Sequence, residues 1–283
     1  MYNNSDQGLL PPNFTNDTRS QERFPPLDYL ATLPRPSIGS VPFGQVITRC
    51  TVPGTIALTF DDGPWRYTSD LLDLLEREDA RATFFVCGGN MNNEQLAWYG
   101  HPRLLRRMLA GGHQIGTHTY SHADLGTLDA HDTFTEMFLN EQAFVGVLGL
   151  LPTYFRPPYL SWSNVTLDVL TELGYHITSI DLDTMDWAGD YREAKRLFEQ
   201  GLDENDPHLS GKLVLAHDIR LRTVYELVKF MIDKAKTRGY QLVTVGECLG
   251  DNRQNWYRNP YNGESWMKSP ALIDSLKESG PPV

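Results

Sequence analysis

Nothing in the 283 residues approaches the run of roughly 18–20 apolar residues that a membrane helix needs, so no membrane span is expected. There is no Lys/Arg-rich block or basic stripe, and the net charge is −11, which argues against a nucleic-acid partner. The acidic balance favours solubility and selects no substrate. Cysteine is scarce: the three present, Cys50, Cys87 and Cys248, form neither a CxxC nor a zinc-ribbon spacing. No Gly-x-Gly-x-x-Gly follows an apolar run, so the phosphate turn of a dinucleotide-binding fold is missing. Internal repeats and low-complexity tracts are absent as well. The opening stretch "MYNNSDQGLLPPNFTND" has no charged segment followed by an apolar one, so no signal peptide is read there. A mature exported form and a cytosolic protein both fit that terminus.

What remains is an ordinary globular composition, 40% hydrophobic and 22% charged, long enough for one large α/β domain or two smaller ones. Residues 1–46 are polar and Pro-rich without periodicity, and read as an extended, partly disordered arm. From residue 53 the pattern turns regular. "TIALTF" (55–60), "RATFFVCG" (81–88), "HQIGT" (113–117), "HITSIDLD" (176–183), "GKLVLAHD" (211–218) and "QLVTVGE" (241–247) read as strands, and "PTYFRPPY" (152–159) as a strand into a turn. Helical spacing of apolar residues lies between them at 68–79, 102–112, 132–149, 164–175, 193–204 and 223–240. Strand and helix alternate without a hairpin signal, which predicts a parallel sheet with crossover helices, closed or nearly closed into a barrel. The domain is read as 47–250, with 251–283 as a polar, aromatic extension packed on it or trailing it.

Cys50 and Cys248 stand just outside the first and last regular segments. A bridge between them would tie the domain's ends together, contributing roughly 5 kcal/mol in the chain-entropy model; three buried thiols in a reducing compartment are the alternative. The sequons at Asn13, Asn16 and Asn164 favour export, hence a secreted or cell-wall location and the bridge.

In a parallel barrel, functional groups gather at the C-terminal ends of strands. Five predicted strand ends carry such groups: Asp61-Asp62, His118 with His122, Arg156-Pro-Pro-Tyr159, Asp183 with Asp186-Trp187, and His217-Asp218. Each alone reads as a cap or surface charge, and "HTYSH" alone reads equally as an ordinary loop. On one rim they make a reagent set. One Asp and two His form an open tripod for Zn²⁺ or a similar divalent ion, which acidifies water toward neutrality. The second Asp stays free as a base, with Arg156 to keep it ionised. His217 could protonate a leaving group, with Asp183 fixing its tautomer. Those parts describe a metal-assisted amide or ester hydrolase.

The motifs "TFDDGP" (59–64), "HTYSH" (118–122), "RPPY" (156–159), "DTMDW" (183–187) and "LAHD" (215–218), in that order, resemble the five motifs of the polysaccharide deacetylases of carbohydrate esterase family 4, the NodB-homology domain. The frame around them resembles the fungal chitin-deacetylase branch. The resemblance implies a distorted, incomplete TIM-like (β/α) barrel. It implies Asp62, His118 and His122 as ligands of Zn²⁺ (or another divalent metal such as Co²⁺), Asp61 as base tethered by Arg156, and His217 as acid with Asp183 as partner. Asp186, in the same motif, is the competing partner. It further implies the Tyr159 backbone N–H at the oxyanion, and Trp187 and Leu215 shaping an acetyl pocket. The expected reaction is removal of N-acetyl groups from GlcNAc units of chitin or chitooligosaccharides by a monomer. O-acetyl xylan or peptidoglycan would suit the same machinery; a metal-independent amide hydrolase and a retired, chitin-binding barrel are the more distant readings. His113 and His176 read as structural, and His101, His131 and His208 as surface. Trp98, Trp162, Trp256 and Tyr159 are candidates to stack on sugar rings, and Trp65 to form part of the sugar groove. Asp218 reads as a strand-end hydrogen-bonding residue.

Overall fold

The computed structural model of the chain describes residues 27–89, 101–203 and 210–266. The apolar, β-branched runs become the strands β1 (Val46–Ile47), β2 (Thr55–Asp61), β3 (Thr83–Val86), β4 (Gln114–Thr117), β5 (Leu151–Pro152), β6 (Tyr154–Phe155), β7 (His176–Thr178), β8 (Leu182–Asp183), β9 (Lys212–His217), β10 (Gln241–Leu242) and β11 (Tyr257–Arg258). Among the described residues, nine of them form one sheet in the order β1-β7-β6-β4-β3-β2-β9-β8, with β10 alongside the start of β2, and all pairings are parallel. Every residue of β2, β3 and β4 is buried, as a parallel sheet covered on both faces requires. The sheet curls into an incomplete barrel. One bent segment serves both sides of it: residues 176–178 pair beside β6, and residues 182–183 pair with β9.

The covering helices follow from spacing and caps. In α1 (Leu27–Leu30) only Leu30 is deeply buried among residues whose side chains are described. α2 (Thr68–Arg77) buries Leu71, Leu72 and Leu75, and α3 (His101–Ala110) buries Leu105, Met108 and Leu109, the i, i+3, i+4 stripe of an amphipathic helix. Each such side chain contributes about 1.5–3 kcal/mol on burial. α4 (Ala130–Leu148) starts where the Asp129 side chain accepts from the Asp132 N–H, and stops at Gly149, whose φ of 67° suits a residue without Cβ. α5 (Asn164–Glu172) opens with a Ser163/Thr166 capping box. α6 (Tyr191–Asp203), α7 (Val228–Thr237) and α8 (Val245–Cys248) complete the set. No helix among the described residues is long and apolar enough to cross a membrane.

Four segments depart from the sequence reading. The run 241–247 is a strand only over β10; Thr244 and Glu247 then form a reciprocal capping box that starts α8. The run 152–159 is split, β5 pairing antiparallel with β11 and β6 entering the main sheet. The run 176–183 is split into β7 and β8. The helix expected from 223 begins as a π-turn, Thr223–Leu227, before α7. His101, expected at the surface, is buried in α3, whereas His131 is exposed and His208 lies outside the described residues.

Cys50 and Cys248 form a disulfide with Cα atoms 5.0 Å apart, and Thr51 and Val52 donate backbone hydrogen bonds to the Cys248 carbonyl. The pair closes the end of the barrel where β2 begins, opposite the motif-bearing end. Cys87 is a buried free thiol. The described part of the Pro-rich arm is docked: Leu30 and Leu33 pack on Val145 and Leu151, and Arg35 grips Glu141 with two hydrogen bonds of 2.7 Å. Arg258, in the C-terminal extension, donates to the carbonyls of Pro36, Gly174 and Gly263, so arm, barrel and extension share one buried guanidinium.

Candidate active site

β2 ends in two carboxylates that diverge. Asp61 completes the strand and accepts from Arg156 Nη1 at 2.9 Å. Asp62 turns the chain with a φ of 75°, a left-handed backbone that Asp tolerates better than most residues. Gly63 follows because there is no room for a side chain: a Cβ there would stand 2.2 Å from the Asp218 carboxylate. The two histidines leave β4 on a loop, not on a helical turn. Thr119 and His122 have φ of 67° and 63°, and the His122 N–H is held by Thr119 Oγ1 at 3.1 Å. Glu136 on α4 fastens the loop from below, accepting from the Tyr120 and Ser121 N–H groups and from Ser121 Oγ. Backbone strain of this kind clusters where a site over-determines geometry.

His118 and His122 approach the same oxygen, Asp62 Oδ1, with Nε2 at 3.4 and 3.1 Å. One ligand atom from each of the three residues lies within 4.8 Å of the others. Asp62 Oδ1 is buried and has no hydrogen-bond partner. His118 Nδ1 is 2.7 Å from the Arg156 carbonyl, which fixes that nitrogen as the donor and leaves Nε2 as a lone pair. An orphaned buried carboxylate oxygen beside two Nε2 atoms is the donor set that a divalent cation satisfies. Burial works to raise the Asp62 pKa, and the adjacent His118 and His122 imidazoles outweigh it, holding the carboxyl well below its usual range.

Arg156 is fully buried. Beyond Asp61 it bonds Thr59 Oγ1 and the Ser179 carbonyl at 3.0 Å, and its Cζ lies 4.3 Å over the Phe85 ring. Burial pulls its pKa down and the Asp61 charge opposes that, yet a guanidinium stays cationic in proteins.

His217 ends β9. Its Nδ1 lies 2.7 Å from Asp186 Oδ1, and its backbone N–H donates to Asp186 Oδ2 at 2.9 Å. The expected partner, Asp183, is not there. Met185 takes a left-handed turn (φ 54°) between the two aspartates, so Asp186 is fully buried under His217 while Asp183 accepts from the Met185 N–H and the Trp187 indole N–H. Thr223 Oγ1 donates to Asp186 Oδ2 at 2.6 Å and saturates it. Burial works to lower the His217 pKa; Asp186 outweighs it and lifts the value to about 9, so the imidazole is a proton donor at neutral pH. Asp218 is buried, accepts from Thr68 Oγ1 and takes no place in the cavity; burial pushes its pKa up to about 7.

All these ends open into one cavity of about 410 Å³ lined by Asp61, Asp62, His118, His122, Pro157, Tyr159, Leu160, Asp183, Trp187, Leu215, His217 and Arg220. The aromatic rim is Tyr159, 68% exposed and edge-on to His122 at 4.7 Å, and Trp187, 48% exposed. Trp256 is core, its indole N–H bonded to the Asp251 carbonyl, and is not a sugar platform. Trp65 and Trp162 are half-buried, and Trp98 lies outside the described residues. Glu136, Thr223 and Arg220 escaped the sequence reading. Glu136 and Thr223 act on neighbours distant in sequence, and only the "DTMDW" spacing hinted at Asp186.

A curled parallel sheet whose strand ends hold an Asp/His/His group, an arginine-held carboxylate and an aspartate-held imidazole is the architecture of a NodB-type deacetylase. The polysaccharide deacetylase family model matches residues 48–178. A chitin deacetylase of Pestalotiopsis sp is 46% identical over 223 residues, 78% of this chain and 72% of that protein. A chitin deacetylase of Colletotrichum lindemuthianum is 43% identical over 221 residues, 77% of this chain and 88% of that one. The solved structure of the C. lindemuthianum enzyme matches with a TM-score of 0.74 at 42% identity, covering 77% of this chain and 97% of its own. The chain belongs to the polysaccharide deacetylase family.

Proposed function

We propose that this protein hydrolyses the N-acetyl groups of GlcNAc units in chitin or chitooligosaccharides, releasing acetate and leaving glucosamine units. The observation that carries the reading is the convergence of Asp61–Arg156, His217–Asp186 and the Asp62/His118/His122 group on one cavity. The relatives named chitin deacetylase support the choice of substrate.

Asp62, His118 and His122 would hold the metal, with zinc the first choice for two imidazoles and a carboxylate. Bound there, it supplies Lewis acidity to the scissile carbonyl and the attacking water. Asp61, oriented by Arg156, takes the proton from that water as its oxygen attacks the acetyl carbon. The Tyr159 backbone N–H faces the oxyanion of the tetrahedral species. His217 then delivers its Nε2 proton to the sugar nitrogen, the C–N bond breaks, and acetate and a free amine leave. Asp186 keeps the Nδ1 proton in place and stabilises the imidazolium. Leu215 and Trp187 wall the acetyl group, and Asp183 braces Trp187 through its indole N–H.

The Cys50–Cys248 bridge supports secretion, and Asn164, exposed at the start of α5, is the sequon within the described residues that a glycan would occupy. The test is acetate release from chitopentaose by the purified protein, before and after EDTA and on restoring Zn²⁺. EDTA-sensitive, zinc-restored release is the expected result. Release from acetylated xylan alone would move the substrate, and EDTA-insensitive release would remove the metal.

A further inference from the structure

Arg220 has no role in what precedes, yet it lines the same cavity as the acid and the metal group. The turn after β9 fixes its backbone: its N–H donates to the His217 carbonyl at 3.3 Å, and its carbonyl accepts from the Val224 N–H at 3.2 Å. Its side chain is half-buried, and its Nε is buried with no hydrogen-bond partner. Among the described residues no carboxylate pairs with it. The other arginine of the turn is occupied: Arg222 pairs with Glu226 at 2.8 Å and covers the Tyr191 ring at 4.5 Å. The cavity's carboxylates outside the metal group are also taken. Asp61 has Arg156, and Asp183 has the Met185 and Trp187 N–H groups.

A guanidinium whose donor is shielded from water and left unpaired costs stability unless a ligand satisfies it. The acceptors that enter this cavity are the oxygens of the substrate. We infer that Arg220 is a substrate-recognition residue, donating hydrogen bonds to neutral oxygens (hydroxyl or acetamide carbonyl) of an N-acetylated sugar chain seated between the Tyr159 and Trp187 rings. The inference rests on the reading of the cavity as a deacetylase site. Its effect falls on binding, because Arg220 holds the sugar and neither gains nor loses a proton in the reaction.

The test is steady-state acetate release from chitotetraose by wild type, R220M and R220K, with melting temperature and zinc content measured alongside. Loss of a charge-assisted hydrogen bond predicts a KM raised about tenfold or more in R220M, kcat within about threefold, and partial recovery in R220K. Melting temperature and zinc content are expected to match wild type. A KM for chitotetraose unchanged in R220M overturns the inference, as does a loss confined to kcat. A KM rise accompanied by zinc loss or a lower melting temperature overturns it in favour of a structural role. If wild type releases no acetate, it is the proposed function that fails. Chitotetraose binding by calorimetry then decides Arg220 separately: weaker binding to R220M supports it, and equal or undetectable binding to both proteins overturns it.

Discussion

Asp186 holds His217 at two points, its Oδ1 2.7 Å from Nδ1 and its Oδ2 accepting the backbone N–H at 2.9 Å. One carboxylate thereby sets both the position of the imidazole and its charge. Its negative charge lifts the His217 pKa, against burial, to about 9. A general acid works while protonated, so the basic limb of kcat/KM should lie near that value. D186N removes the charge and lowers the pKa; the limb then moves to lower pH by about one unit or more, and the rate at pH 8 falls about a hundredfold. Asp183 accepts, among the described residues, from the Met185 and Trp187 N–H groups, so D183N should leave the limb in place and cost less than about tenfold. pH–rate profiles of the two variants check this, and a limb displaced by D183N instead of D186N would restore Asp183 as the partner.

The Arg156–Asp61 pair separates stability from chemistry. Arg156 is fully buried, and its removal strands Asp61, Thr59 and the Ser179 carbonyl together. R156M should destabilise the protein by about 3–5 kcal/mol in urea unfolding. D61N keeps an oxygen for Arg156 but removes the base and the countercharge, so its urea midpoint should fall less than that of R156M while kcat falls about a thousandfold. Equal losses of stability in both variants would show that the pair acts as one structural unit.

The barrel was largely readable because its cause is local. Apolar, β-branched runs such as "TIALTF" and "TFFV" read as buried strands when helices at 3.6-residue spacing separate them, and the polar residues that end them then share a rim. Two kinds of feature were less legible. One was present but overridden: "TVGE" is a Ser/Thr-x-x-Glu capping box, and its Thr244–Glu247 reciprocity starts a helix where the apolar run suggests a strand. The other depends on a single dihedral. Nothing in the spacing of "DTMDW" decides which aspartate reaches His217; the left-handed turn at Met185 does. Glu136 under the histidine loop and Thr223 under Asp186 are contacts between elements far apart in sequence, which periodicity does not encode.

The Asp62/His118/His122 group predicts a metal readout independent of turnover. Wild type should bind about one zinc per chain, and EDTA should lower its melting temperature, restored on adding zinc, because an ion that binds only the folded state stabilises it by mass action. H122A removes one of the three donors, and a missing ligand should cut zinc occupancy to a small fraction. The zinc-dependent rise in melting temperature should vanish with it. Zinc content by atomic spectroscopy decides the point, and H122A retaining full occupancy would place the ion elsewhere.

The disulfide joins the start of the first buried strand to the last short helix across 198 residues of sequence, at the end of the barrel away from the cavity. Replacing both Cys50 and Cys248 by serine should therefore lower stability by roughly 2–5 kcal/mol while kcat and KM on chitopentaose hold at a temperature where the variant is folded. Replacing the buried free thiol Cys87 by alanine should cost about 1 kcal/mol. A double serine variant as stable as wild type in urea would show that the hydrogen bonds from Thr51 and Val52 to the Cys248 carbonyl close the barrel unaided.

His176 makes the acid side of stability testable. It is fully buried, stacked on Phe43 at 4.1 Å, with Nδ1 3.0 Å from the Pro42 carbonyl and no partner for Nε2. Burial lowers its pKa to about 4, from an ordinary value near 6.5. The folded state therefore resists a proton that the unfolded chain accepts below pH 6.5. The stability this neutral imidazole contributes is complete above pH 6.5 and is lost as pH falls from there toward 4, at about 1.4 kcal/mol per pH unit. H176N keeps a donor toward the Pro42 carbonyl and cannot titrate. It should be somewhat less stable at pH 7 for want of the stacked ring, but should lose about 2–3 kcal/mol less than wild type between pH 7 and 4.5. The remaining ionisable groups are common to both proteins and cancel in the comparison. Urea unfolding at the two pH values measures the difference, and parallel losses in wild type and variant would mean that His176 is already protonated in the folded protein.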